Sequence, residues 1–170
     1  AAVARVEVDI FDVAHHIIGG GEGDKTLVRT KEAADHSLPY MLAAALCDGE
    51  LSPAQYAPER IQAPGVQHLI HCITVRSDPA FSSRFPAEMA CRVTVALHDG
   101  RRLEIEKRDY EGFHTRPMSL ERVAATFHDI AGPFIAADIR EEIVDAVVRL
   151  DDLTVRQLTT RLGRPASEEI

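Results

Sequence analysis

Residues 90–110 read ACRVTVALHDGRRLEIEKRDY, and this stretch decides the fold class. Two runs alternate apolar and polar residues, Cys91 to Leu97 and Arg102 to Lys107, with Asp99-Gly100 between them. Asp-Gly is favoured in tight hairpin turns because both central residues of such a turn take positive φ. The stretch therefore predicts an antiparallel hairpin. Since most other signals in the chain are helical, the expected class is α+β: an antiparallel sheet with packed helices, followed by an all-helical tail.

Working outward toward the N-terminus, ARVEVDIFDVA alternates at Val6, Val8 and Ile10, with Asp12 as a further candidate, and reads as a strand with one buried face. His15 and His16 are placed on that strand's end, where they point to opposite faces and cannot chelate together. GGGEGDK, residues 19–25, is a flexible loop. It lacks the glycine directly before lysine that a phosphate-binding loop needs, and Asp24 spoils the dinucleotide pattern. A helix is expected from Ser37 to about Cys47, capped by Ser37, opened by Pro39 and closed by Asp48-Gly49. Its run Ala43 to Ala45 lets another backbone approach closely. SPAQY from Ser52 repeats the cap-then-proline signal, Val66 to Cys72 suggests a third helix, and ITVRS a short strand.

Toward the C-terminus, SLERVAATFHDIAG opens on a Ser119 cap and aligns Leu120, Val123, Ala124 and Phe127 on one face. REEIVDAVVRL and TVRQLTTRL add two more helices. The expected division is an α+β domain over 1–118 and a helical tail over 119–170. Apolar residues such as Val144, Val147 and Val148 in that tail call for a helical neighbour.

Composition narrows the function. The 170 residues are 45% apolar and 27% charged, as in an ordinary globular domain. A formal charge of −8 argues against nucleic acid or an anionic membrane as the main partner. No apolar run approaches the roughly 18 residues a membrane span needs. Cys47, Cys72 and Cys91 form no C-x-x-C pair, and read as reduced, mostly buried thiols of a cytoplasmic protein.

Three places invite a chemical reading. His68 and His71, three apart on a helix, have the spacing of a metal pair but no supporting third ligand, so no metal is assigned. RDYEGFHTRP, residues 108–117, leaves the hairpin as a loop with Arg116 able to clamp a carboxylate through two parallel bonds and His114 able to donate to another. A solvated loop explains the same letters. In TKEAADHSLPY, residues 30–40, a helix N-terminus is a plausible anion-facing edge, and His36 and Tyr40, four apart, are both able to handle a proton there. An ordinary surface histidine and a core tyrosine explain them equally.

HSLPYMLAAALCDG, followed by SPAQY and ERI, a strand ending in Asp78-Pro79, FPA before the hairpin, LHDG within it, a Tyr110-x-Gly112 loop with Arg116-Pro117, and a helix ending FHDIAG, together resemble the C-terminal part of the MmgE/PrpD family. The resemblance runs from about Val6 to Leu162. It implies a large N-terminal helical domain onto which the last helices of this chain pack, and a pocket between the two domains. It also implies homodimers working without metal or organic cofactor, and a segment split from its helical domain is expected to form a hetero-oligomer with it instead. The shared chemistry is proton abstraction beside a carboxylate of a di- or tricarboxylic acid, leading to dehydration, decarboxylation or epimerisation. Tyr40 of the SLPY motif is carried over as the catalytic, pocket-lining residue, His36 beside it as a second, and His114 with Arg116 as substrate-binding. Lacking the helical domain, the segment is expected to be inactive alone, as the C-terminal portion or small subunit of such a lyase. The alternative is a non-catalytic carboxylate-binding or protein-interaction module.

Overall fold

The computed structural model describes residues 2–163, so positions 164–170 of the expected tail lie outside the described residues. Two compact units divide at Tyr110/Glu111. This falls before the 118/119 division read from the sequence, and the 111–118 loop bonds forward, Arg122 Nε lying 3.4 Å from a Glu111 carboxylate oxygen.

In the first unit, β1 (Val3–Ile10) leads into α1 (Asp12–Ala14) and a π-helical turn (His15–Gly19). Then come α2 (Lys31–Asp35), α3 (Leu38–Asp48), a 3-10 turn (Pro53–Tyr56), α4 (Pro58–Ile61) and α5 (Pro64–Ile70). The unit closes with β2 (Ile73–Ser77), α6 (Pro79–Ser82), β3 (Cys91–Leu97) and β4 (Arg102–Lys107). The sheet order is β2-β1-β3-β4. The β1–β3 and β3–β4 pairs are antiparallel, and the β1–β2 pair is parallel because the long helical crossover from 11 to 72 returns the chain in the same direction.

One sheet face carries Val6, Val8 and Ile10, opposite Ile73 and Val75 on one side and Val93 and Val95 on the other. This face packs on α3 and α5, and Ala43 and Ala44, both fully buried, let the two helices close up. Each large aliphatic side chain buried this way contributes roughly 1.5–3 kcal/mol.

Three expectations change. The hairpin forms with the strands read from the sequence, but only Gly100 has positive φ (88°). Gly100 N–H donates to the Leu97 carbonyl (3.0 Å) and Leu97 N–H to that of Arg101 (2.9 Å), which is a type I turn with a glycine bulge, one residue longer than the two-residue turn. His15 and His16 are helical, since β1 stops at Ile10 and the Asp12 N–H bonds Ser82 Oγ (2.9 Å) instead of continuing the ladder. The cysteines are free but not buried: Cys47 is exposed, and Cys72 and Cys91 are half-buried.

The second unit holds α7 (Leu120–Ala131), α8 (Ala137–Val148), a 3-10 turn (Leu150–Asp152) and α9 (Val155–Leu162). Ser119 Oγ caps α7 by accepting from Arg122 N–H (3.1 Å), and Thr154 with Gln157 forms a capping box on α9. No described helix is long and apolar enough to cross a membrane.

Candidate functional site

The segment from Thr30 to Arg60 builds the surface around the SLPY motif. Thr30 caps α2, which runs barely more than a turn before His36 leaves helical geometry. Ser37 is extended (φ −126°, ψ 103°) and restarts the chain into α3. Its hydroxyl accepts from Tyr40 N–H (3.0 Å) and donates to the Lys25 carbonyl (2.5 Å), while Ser37, Pro39 and Tyr40 are all buried. The N-terminus of α3 is thus sealed by its own cap and the preceding loop. It is not an open anion-facing edge.

Tyr40 is fully buried, its ring tilted against Tyr56 with centroids 5.9 Å apart. Its hydroxyl donates to the Gln55 carbonyl. Burial, then the neighbouring Tyr56, pushes the Tyr40 phenol above its ordinary pKa, so it stays neutral and hydrogen-bonded. His36 lies on the surface, and its Nδ1 is 3.1 Å from the Glu32 carbonyl. A carbonyl only accepts, so Nδ1 carries the proton and Nε2 is the basic position of the neutral ring. The break at Ser37 leaves His36 at the C-cap of α2, on the surface, and puts Tyr40 inside α3, in the core. Four-residue spacing does not bring them to one edge here.

Beneath Tyr40 runs a polar chain that links distant positions. Gln55 Oε1 accepts from the Ser52 N–H (2.8 Å) and hydroxyl (2.9 Å), and Nε2 donates to Asp48 (3.1 Å). Asp48 also receives Arg60 Nε (2.8 Å) and Nη2 (2.5 Å), a bidentate pair. The Arg60 hydrogen bonds first, and Gln55 second, hold the Asp48 carboxyl below the usual carboxylate range.

Beside this network a groove of about 350 Å³ is lined by Lys31, Asp35, Leu51, Ser52, Pro53 and Tyr56. Lys31 Nζ and Asp35 pair at 3.2 Å. Burial, and to a lesser extent Asp35, raises the Tyr56 phenol. The sequence reading missed this groove and the Asp48–Arg60 pair. Ser52-x-x-Gln55 was the available local signal, whereas nothing local marks two groups twelve residues apart.

His114 and Arg116 belong to the second unit, both exposed on the 111–118 loop. Gly112 has φ 101°, and its N–H donates to the Arg116 carbonyl (2.8 Å) while Arg116 N–H donates to that of Phe113 (2.8 Å). The Phe113 and His114 rings meet at 4.2 Å between centroids. The turn thus fixes the backbone of both candidate residues. His68, on α5, and His71, at its C-cap, are exposed. Among the described residues no group of three or more His, Cys, Asp or Glu is placed to hold a metal ion.

A helix-backed, mostly antiparallel sheet joined to a run of amphipathic helices defines an α+β protein with a helical tail. The family model for the MmgE/PrpD C-terminal domain matches residues 1–152, and the chain belongs to that family. It is similar to cis-aconitate decarboxylase of Mus musculus, 24% identical over 133 residues, which is 78% of this chain and 27% of the relative. The Homo sapiens protein of the same name is 26% identical over 142 residues, 83% of this chain and 29% of the relative. The chain therefore spans less than a third of the length of these curated relatives.

Proposed function

We propose that the chain is the C-terminal portion, or small subunit, of an MmgE/PrpD-type lyase acting on a di- or tricarboxylic acid. The observation that carries this reading is the family match over residues 1–152, and kinship with two cis-aconitate decarboxylases supports it. The reaction begins with proton abstraction beside a carboxylate, which needs a positioned base and cationic groups that hold the substrate and the developing negative charge.

His36 is the group this segment offers for proton transfer, through Nε2. Arg116, with His114, suits a carboxylate clamp on the second unit. Tyr40 anchors the start of α3 to the Pro53–Tyr56 turn through its buried hydroxyl. A helical partner domain or chain supplies the remaining acid, base and anion-binding groups, and the scheme assigns the work to side chains alone. The buried Tyr40 hydroxyl also favours a second reading, a carboxylate-binding or interaction module that catalyses nothing.

The test is to purify the native assembly, weigh its chains, and follow cis-aconitate and related tricarboxylates by NMR. A larger helical polypeptide with turnover is expected, and His36→Gln should lower kcat about 10²-fold or more. An assembly that leaves every polycarboxylate unchanged removes the lyase reading. Full turnover by His36→Gln removes His36 from the mechanism.

A further inference from the structure

The groove lined by Lys31, Asp35, Leu51, Ser52, Pro53 and Tyr56 takes no part in the chemistry proposed above, and it brings an ammonium, a carboxylate and a phenol together beside an apolar wall. We propose that it binds a free α-amino acid with an apolar side chain, held as its zwitterion.

The bonds already made show which groups a ligand can use. Ser52 commits its N–H and its hydroxyl to Gln55 Oε1, and the hydroxyl also accepts from Ala54 N–H (3.3 Å). Tyr56 is different. It is half-buried with its ring against Tyr40, yet its hydroxyl makes no hydrogen bond among the described residues. Burial first, and the Asp35 carboxylate second, raise this phenol while Lys31 pulls the other way, so both charges lie within electrostatic reach of it. Lys31 Nζ meets Asp35 through one oxygen, Oδ2 at 3.2 Å, which leaves Asp35 Oδ1 and two ammonium protons open. These two side chains are 65% and 38% exposed. A solvated pair of that kind adds little stability, so opening it to admit a ligand costs little.

Charge and shape select the ligand. Lys31 and Asp35 cancel, so the groove has no net charge to draw in a polyanion, and Asp35 repels the further carboxylates of a di- or tricarboxylic acid. A zwitterion laid beside the pair makes four charges alternate. Its carboxylate takes Lys31 Nζ and the Tyr56 hydroxyl, which gains the acceptor it lacks, and its ammonium takes Asp35. Leu51, 43% exposed, and Pro53 cover the ligand's side chain. The groove's volume of about 350 Å³ lies at the lower end of the ~300–1,000 Å³ of small-molecule sites, which suits a single amino acid. A peptide does not carry both charges on one carbon, so a chain terminus fits less well than the free amino acid.

Amide NMR titration of the full chain with L-leucine tests this. Saturable shifts are expected at Lys31, Asp35, Leu51 and Tyr56, with a dissociation constant in the millimolar range or tighter. Isopentylamine and isocaproate keep the leucine side chain and lose one charge each, N-acetylleucine mimics a peptide, and all three should bind about tenfold more weakly or worse. Tyr56→Phe keeps the ring on Tyr40 and should weaken leucine about tenfold, with Asp35→Asn at least as damaging. Thermal melts confirm that both variants are folded. Tricarballylate should not displace leucine, so this binding stands or falls apart from the lyase reading. The proposal is overturned by the absence of saturable shifts up to about 100 mM leucine. Equal affinity for isopentylamine or N-acetylleucine overturns it too, since the groove would then be an apolar patch beside one charge. Binding indifferent to both Tyr56→Phe and Asp35→Asn, or displaced by tricarballylate, overturns it as well.

Discussion

The Tyr40 hydroxyl donates to a main-chain carbonyl inside the core, so its loss strands the Gln55 acceptor away from water. Tyr40→Phe keeps the ring and its packing on Tyr56, and should cost about 1–2 kcal/mol, read from the urea midpoint. In the reconstituted assembly, turnover should stay within a few-fold of the parent while the protein is folded. A hundredfold loss without loss of stability would show that the hydroxyl reaches substrate. Asp48 illustrates a second single-residue effect. It sits at the C-terminus of α3, where a helix disfavours negative charge, and Arg60 offsets this with two bonds. Its carboxyl is depressed in the folded state, so the stabilisation is present above the unfolded carboxylate range near pH 4 and is lost as pH falls through the lower folded value. Asp48→Asn should lower the urea midpoint at pH 7, with a deficit that shrinks as pH falls below the carboxylate range, and a deficit that does not change with pH contradicts that role.

Among the elements, the hairpin loop shows what spacing reveals and what it hides. Gly100 sits at φ 88°, a conformation that costs an L-residue roughly 1–2 kcal/mol, so Gly100→Ala should destabilise by about that amount without moving the strands. Retained far-UV dichroism with a lowered midpoint is the expected readout, and an unchanged midpoint counts against it. The strands themselves were legible because a period of two survives in Val93, Val95, Leu103 and Ile105. The turn was not, because Asp-Gly serves both the two-residue loop and the bulged three-residue one. Likewise the start of α3 was legible in Ser37 and Pro39, and the same two letters already separated His36 from Tyr40, which bare four-residue spacing concealed. The parallel β1–β2 pairing and the Ser37–Lys25 and Asp48–Arg60 bonds join positions far apart in the chain, and local pattern carries no trace of them.

For the whole molecule, the two units differ in how much core each owns. The first buries Val6, Val8, Tyr40, Ile61, Val66, Ile70 and Phe81 with little or no exposure, whereas the buried apolar residues of the described second unit are Ala131, Ile143 and Ala146. Its helices are 12, 12 and 8 residues long, at or below the length at which an isolated helix is marginal in water, about 12–15 residues. Leu120, Val123, Phe127, Val144 and Val147 line a shallow groove of about 180 Å³ instead of a closed core. A segment with so little buried surface does not outweigh its chain entropy. Residues 1–110 alone should therefore unfold cooperatively in urea with a midpoint close to that of the full chain, and residues 111–170 alone should show no cooperative transition at 222 nm. A sharp transition in the 111–170 fragment would mean that its helices complete a core by themselves, and the helical partner invoked for the lyase would lose its structural motive.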